Sequence, residues 1–244
     1  MSIQSILKDI IKHCGVAGVE VIKITGSDEG IKAQCHDLDK TLFVEGNFAE
    51  VIPEFSGEFG ITNIKMLSGL LGFSHYQEGS FAVKTRKVND VEVPSQLQFK
   101  GKGSRSTFNL MDNNYVPQQA TIAQVPWNIV IDEVTKDMMA EFQQFAGLYS
   151  EVDKHFNVAV DDGAIMVTFG QEASSTHSGA MKLVETTQTL ANTLSFPVDK
   201  FVMLMKLAIA NETAKLKFTD KGLLGVDIES DNGVFHYYLR QTVR

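Results

Sequence analysis

Catalysis and metal binding need particular residue types at particular spacings, and this sequence offers few candidates. Lys100–Arg105 reads KGKGSR, basic and glycine-rich, but it lacks the spacing of a phosphate-cradling loop and no helix follows it. A flexible hairpin loop is the better reading. His36-Asp37-Leu38-Asp39 holds metal-competent side chains, yet no partner cluster stands near it, and a loop turn is favoured. The histidines (His13, His36, His75, His155, His177 and His236) are scattered. No G-x-S-x-G, H-E-x-x-H or paired-carboxylate motif appears, so nothing builds a nucleophile with its base. The expectation is a protein that is not an enzyme and needs no cofactor or metal. Cys14 and Cys35 form neither a disulfide framework nor a metal spacing, and Cys14 falls on the apolar stripe of a predicted helix, as a buried thiol would.

The residues with a coherent pattern are lysines. They stand opposite the apolar stripe of each of four predicted helices. The first helix has Lys8 and Lys12, one turn apart; the second has Lys65 with Ser68, Gly69 and Gly72. The third has Lys136 with Ala140, Gln143, Gln144 and Gly147, and on the fourth Lys200 and Lys206 straddle a face holding Met203 and Leu207. The acids on these helices are Asp9, Asp137, Glu141 and Asp199, fewer than the lysines, whereas the whole chain has 22 bases against 30 acids and a net charge of −8. Lysine is a point charge on a flexible stem, suited to loose contact with a phosphate backbone. The Arg and Asn clusters that read base edges are missing from these faces. On spacing alone, four solvated helix faces remain the leading reading.

Those helices must be positioned by something. Hydrophobic content of 43% over 244 residues is enough for one large or two smaller cores. Residues 3–14 repeat apolar positions at helical spacing, followed by strands at Val19–Ile24, Ile31–Cys35 and Thr41–Glu45. A short helix fits Asn63–Phe73, with Asn63 as N-cap and Ile64, Met66, Leu67, Leu70, Leu71 and Phe73 as its apolar set. Strands follow at Ser80–Arg86, Leu97–Lys100 and Ser106–Met111. Asp112–Val125 is polar, carries Pro117 and reads as a linker. The same order then returns: a strand at Trp127–Asp132, a helix capped by Thr135, and a hairpin turning at Asp162-Gly163. Strands at Ala180–Thr187 and Thr189–Leu194, a helix over Val198–Ala210, a turn at Asp220-Lys221-Gly222 and a last hairpin at Asn232-Gly233 complete it. Two similar α+β domains follow, at residues 1–112 and 126–244 around a connector at 113–125, each with two helices on one face of antiparallel sheets. The N-terminus lacks a cleavable apolar core and no apolar run spans a bilayer, so a reducing, cytoplasmic setting without membrane contact is expected.

Three segments resemble a known family. GVFHYYLRQTV (Gly233–Val243) is similar to the closing strand and tail of the proliferating cell nuclear antigen (PCNA) family of DNA sliding clamps. FNLMDNNYVPQQ (Phe108–Gln119) is similar to that family's last strand of domain one running into the connector, and HDLDKTLFV occupies the place of its loop before a strand. Ile61–Phe73 looks closer to the clamps of T-even-type bacteriophages, which would place the protein in a host cytoplasm. The resemblance implies a homotrimeric ring around duplex DNA, held without sequence preference, that tethers a replicative DNA polymerase and is loaded by an ATP-dependent clamp loader. Lys8, Lys12, Lys65, Lys136, Lys200 and Lys206 would then face DNA. Partner peptides would dock at His36, Phe43, Tyr115, Val116, Pro117, Leu239 and Val243, although His36 and Arg240-Gln241 depart from the family pattern. Subunits would join edge to edge through Phe108 and Leu110 on one side and Lys182 and Val184 on the other. A monomeric replication accessory protein of the same fold, or a scaffold whose lysines merely face solvent, are the competing readings.

Overall fold

The computed structural model of the protein describes residues 2–16, 18–88, 91–119, 124–170, 177–211 and 214–242, the side chains of Val91 and Asn211 excepted. The chain forms two compact units, Met1–Thr121 with Ser230–Phe235, and Ile122–Glu229 with His236–Arg244.

The first unit begins with α1 (Ile3–Gly15). Ser2 caps it, its Oγ accepting from Ser5 N at 3.2 Å, and Ile6, Leu7, Ile10, Ile11 and Cys14 form the buried stripe. Strands β1 (Ile22–Ser27), β2 (Gly30–His36), β3 (Leu42–Phe48) and β4 (Gly57–Ile61) follow, then α2 (Ile64–Gly72), the one-turn α3 (Ser74–Gln77), β5 (Ser80–Val88), β6 (Val91–Gly101), β7 (Ser104–Asn109) and β8 (Met111–Asp112). One sheet in this unit has the order β8-β4-β1-β2-β3 and another the order β5-β6-β7, every pair antiparallel. Strict alternation along β1 and β3 sends Ile22, Ile24, Leu42, Val44 and Phe48 inward. α1 packs on β2 and α2. There the thiols of Cys14 and Cys35 meet in the core, and their hydrogen bond together with burial pushes the Cys35 thiol well above its ordinary pKa.

The second unit contains β9 (Ile129–Ile131), α4 (Lys136–Tyr149), β10 (His155–Asp161), β11 (Ala164–Phe169), β12 (Gly179–Glu185), β13 (Leu194–Pro197), α5 (Val198–Asn211), β14 (Ala214–Thr219), β15 (Leu223–Glu229) and the C-terminal part of β16 (Val234–Arg240). Its sheets have the orders β16-β15-β14-β9 and β12-β11-β10-β13. Phe142 from α4, Phe156 from β10 and Phe201 from α5 meet at centroid distances of 4.7–5.0 Å. Each such ring contributes roughly 1.5–3 kcal/mol by burial alone. The sequence expectation for Thr135 holds: its Oγ1 accepts from Met138 N at 3.2 Å. So does the Asp162-Gly163 turn, both residues having positive φ as a two-residue hairpin requires.

Several expectations need correction. β4 and α3 have no counterpart in the sequence reading; β4 is short and glycine-containing, which hides its period. Ser106–Met111 is not one strand, because the chain leaves β7 at Asn109 and re-pairs as β8 with β4. The strand expected at Thr189–Leu194 starts only at Leu194; before it, Ala191 N donates to Asp220 Oδ1 and Gln188 Oε1 accepts from Val130 N, so side chains replace a ladder. Asn63 occupies the N-cap position in a left-handed conformation (φ 48°) and makes no side-chain cap. Met66 and Phe73 lie outside the buried stripe of α2.

Candidate functional site

Five lysines on strands are neutralised where they stand. Lys23, Lys32, Lys182, Lys215 and Lys217 each place Nζ within 3.0 Å of a carboxylate oxygen, of Glu58, Glu45, Glu185, Asp132 and Asp227 respectively. The helix lysines behave differently. Lys8, Lys12, Lys65, Lys136 and Lys206 are exposed and Lys200 is half-buried. Among the described residues, Lys8, Lys65, Lys136 and Lys206 have no carboxylate within ion-pair distance. Two of the helix acids are turned to structural work: Asp9 Oδ2 accepts from Asn232 Nδ2 at 2.7 Å, and Asp199 Oδ1 accepts from Lys200 N at 2.8 Å. Around the lysines the surface is low. A Cβ on Gly69, Gly72 or Gly147 would meet nothing within 4 Å. Leu207 proves buried at 9% exposure, so it belongs to the core of α5 and not to the lysine face.

The partner positions separate. His36 and Phe43 are register partners on β2 and β3 with rings 5.8 Å apart, both half-buried on the solvent side of the sheet. Val116 lies against β4, where a Cβ on Gly60 would come within 2.8 Å of Val116 Cγ2 and 3.3 Å of Val21 Cγ1. Val21 precedes Lys23, which pairs with Gln34, so it lies on the same face as His36 two residues along. Leu38, two residues after His36 in the chain, is 71% exposed. Its loop is held open by Asp37, whose carboxylate accepts from Thr41 N, Thr41 Oγ1 and Leu42 N at 2.8–3.1 Å. Asp37 is therefore a loop organiser, and no group of residues able to hold a metal occurs among the described residues. Sequence reading missed Val21 and Leu38; the exposed apolar residue in a polar turn was the available signal for the second.

Two expected pocket residues fall elsewhere. Leu239 is fully buried, its place in the inward alternation of β16 putting it in the core, so no partner can reach it. Val243 lies outside the described residues. Tyr115, 77% exposed, stands at a groove of about 480 Å³ lined also by Met66, Phe108, Leu110 and Met111. Pro117 is exposed.

Among the described residues, β7 pairs only with β6 and β12 only with β11, leaving two free strand edges, one in each unit. Phe108 is 3% exposed, so its ring is a core element and only its main chain can take part in an edge contact. Leu110 and Val184 are half-buried, and Lys182 is exposed with Glu185 beside it.

No family model matches the chain, and no curated protein matches it. Solved structures do. The chain is similar to PCNA from Entamoeba histolytica, with a TM-score of 0.65 at 16% identity over 98% of this chain and 96% of that one. It is similar also to A. fulgidus PCNA bound to the C-terminal region of FEN-1, with a TM-score of 0.68 at 13% identity over 99% and 96%. Likeness over nearly the whole length of both chains, with mostly antiparallel sheets and helices in both units, gives one conclusion: this chain has the fold of the PCNA sliding clamps.

Proposed function

We propose that the protein is a sliding clamp: a non-enzymatic subunit that closes with two copies of itself into a ring around duplex DNA and tethers a replicative polymerase. The observation that carries this reading is the contrast in charge pairing. In a chain of net charge −8, Lys23, Lys32, Lys182, Lys215 and Lys217 on β-strands are paired with carboxylates, while Lys8, Lys65, Lys136 and Lys206, one on each of α1, α2, α4 and α5, are left without one. Cations held free of counter-charges on a smooth surface suit phosphates that pass by without fixed register. Lys12 and Lys200 belong to the same proposed surface. In this reading residues 1–112 and 126–244 are the two clamp domains and 113–125 the connector. β7, through its main chain and Leu110, would meet β12 near Lys182 and Val184 of another copy, which would relieve both free edges.

Partner peptides, of polymerase among others, would dock on the apolar surface of Val21, His36, Leu38, Phe43 and Val116; the complex of A. fulgidus PCNA with the C-terminal region of FEN-1 supports expecting such clients. Loading by an ATP-dependent loader and a cytoplasmic location, in a host if the chain is a phage clamp, belong to the same reading. No described helix is long and apolar enough to cross a membrane.

Light scattering tests the ring: a mass about three times 26.9 kDa is expected, and a monomer stable to dilution removes it. The combined variant Lys8→Glu, Lys65→Glu, Lys136→Glu, Lys206→Glu tests the surface. It should keep the mass and lose processive synthesis; unchanged product lengths would remove the DNA-facing assignment.

A further inference from the structure

The KGKGSR segment, expected as a flexible loop, is instead the braced end of a hairpin. The β6–β7 register runs from Gln96↔Asn109 to Gly101↔Ser104, leaving Lys102-Gly103 alone to turn, with Gly103 at φ 75°. The backbone of α3 and of its connection to β5 presses directly on it: a Cβ on Gly79 would fall 1.9 Å from the Lys100 carbonyl oxygen, and one on Gly101 2.3 Å from that of His75. Only glycine permits that approach at either place.

The register then decides what the hairpin presents. Leu97, Phe99 and Phe108 are buried, so the residues alternating with them face solvent. On that face Lys100 stands opposite Arg105, the next row holds Gln98 and Thr107, and the row after it carries Lys84. Lys102 projects at the tip. With rows about 6.8 Å apart, these four cations form a strip roughly 20 Å long. Among the described residues, none of the four has a carboxylate within ion-pair distance, whereas the neighbouring Arg86 is taken by Asp112. Glu92 accepts from Thr85 Oγ1 at 2.9 Å.

We propose that this face of the β5-β6-β7 sheet is a docking surface for an acidic, extended segment of a partner protein. Four unneutralised cations in a net-acidic chain call for an anionic partner. The choice between peptide and nucleic acid rests on what lies between the charges. Phe81 packs inward against Phe99 at 5.1 Å and Tyr76 is buried, so the strip has no ring on which bases could stack; it has an amide and a hydroxyl instead. An extended peptide repeats its side chains at the same spacing as the rows, about 6.8 Å, so acids at every second position meet successive rows. The proposal uses none of the helix lysines and stands apart from the DNA reading.

Fluorescence anisotropy on the full chain tests it, with a labelled peptide of alternating glutamate and serine and, in parallel, labelled oligothymidylate, both at low salt. The peptide should bind, and the double variant Lys100→Gln, Arg105→Gln should weaken it about tenfold. Lys84→Gln should weaken it less, and Lys8→Gln on α1 should leave it unchanged. Absence of peptide binding overturns the proposal, as does equal binding by the double variant. Oligothymidylate binding that is tighter and lost in the same double variant would overturn it in favour of nucleic acid. Coincident melting curves for the variants separate a lost contact from a lost fold.

Discussion

His13 gives the sharpest quantitative test of the structure. It has no exposed surface, and its ring stacks on Phe235 at 4.0 Å and 10°. Burial, reinforced by the nearby Lys12 charge, lowers its pKa to about 4 from 6.5. A histidine whose folded pKa is depressed is held neutral by folding, so the unfolded chain binds the proton first as pH falls. Stability is therefore lost on acidification through 6.5 and the loss levels off below 4. With these two values, protonation of the unfolded chain lowers stability by about 2 kcal/mol between pH 7 and pH 5, and by about 3 kcal/mol at pH 4. His13→Phe keeps a ring against Phe235 and removes the titration. Denaturant unfolding of both proteins at each pH gives the difference, in which other titrating groups cancel. The wild type should lose about 2 kcal/mol relative to the variant between pH 7 and pH 5, and the His13 ring proton should titrate near 4 by NMR. A difference that stays flat across this range, or a ring titrating near 6.5, would refute the claim that this position is dry and tightly packed.

Three further outcomes follow from specific contacts. Gly147→Ala, in the last turn of α4 with open space at the Cβ position, should raise stability by about 0.5 kcal/mol, read as a higher melting temperature. Gly60→Ala should lower stability by roughly 1–3 kcal/mol, because the new methyl would meet Val116 and Met111 at 2.8 and 3.1 Å. Leu38→Asp should leave the melting curve unchanged, since the side chain is 71% exposed, and weaken client-peptide binding in a titration.

Much of the architecture was legible because local rules and tertiary packing agree. The stripe of α1, the Thr135 cap and the Asp162-Gly163 turn each depend on neighbours within a few residues. Where they disagree, the structure departs from the sequence reading. β4 is a five-residue strand whose identity comes from pairing with β1 and β8, partners distant in sequence. The Thr189–Leu194 stretch has strand-like residues, but Ala191 N donates to Asp220 and the neighbouring Gln188 is tied to Val130.

The candidate surfaces divide along the same line. The positions of the helix lysines are a property of the sequence, because helical spacing alone puts Lys8, Lys65, Lys136 and Lys206 opposite apolar stripes. Whether each is neutralised is not, because a carboxylate partner such as Glu58 for Lys23 lies on another strand, reached only when register is set. The same holds for Leu239, apolar and tail-like in sequence yet fully buried, and for Phe108, an edge-strand residue whose ring faces the core. Sequence by itself determined which residues could carry charge or fill a core. Tertiary structure decided which charges stay unpaired and which side chains a partner can reach, because pairing and exposure depend on residues brought together from distant parts of the chain.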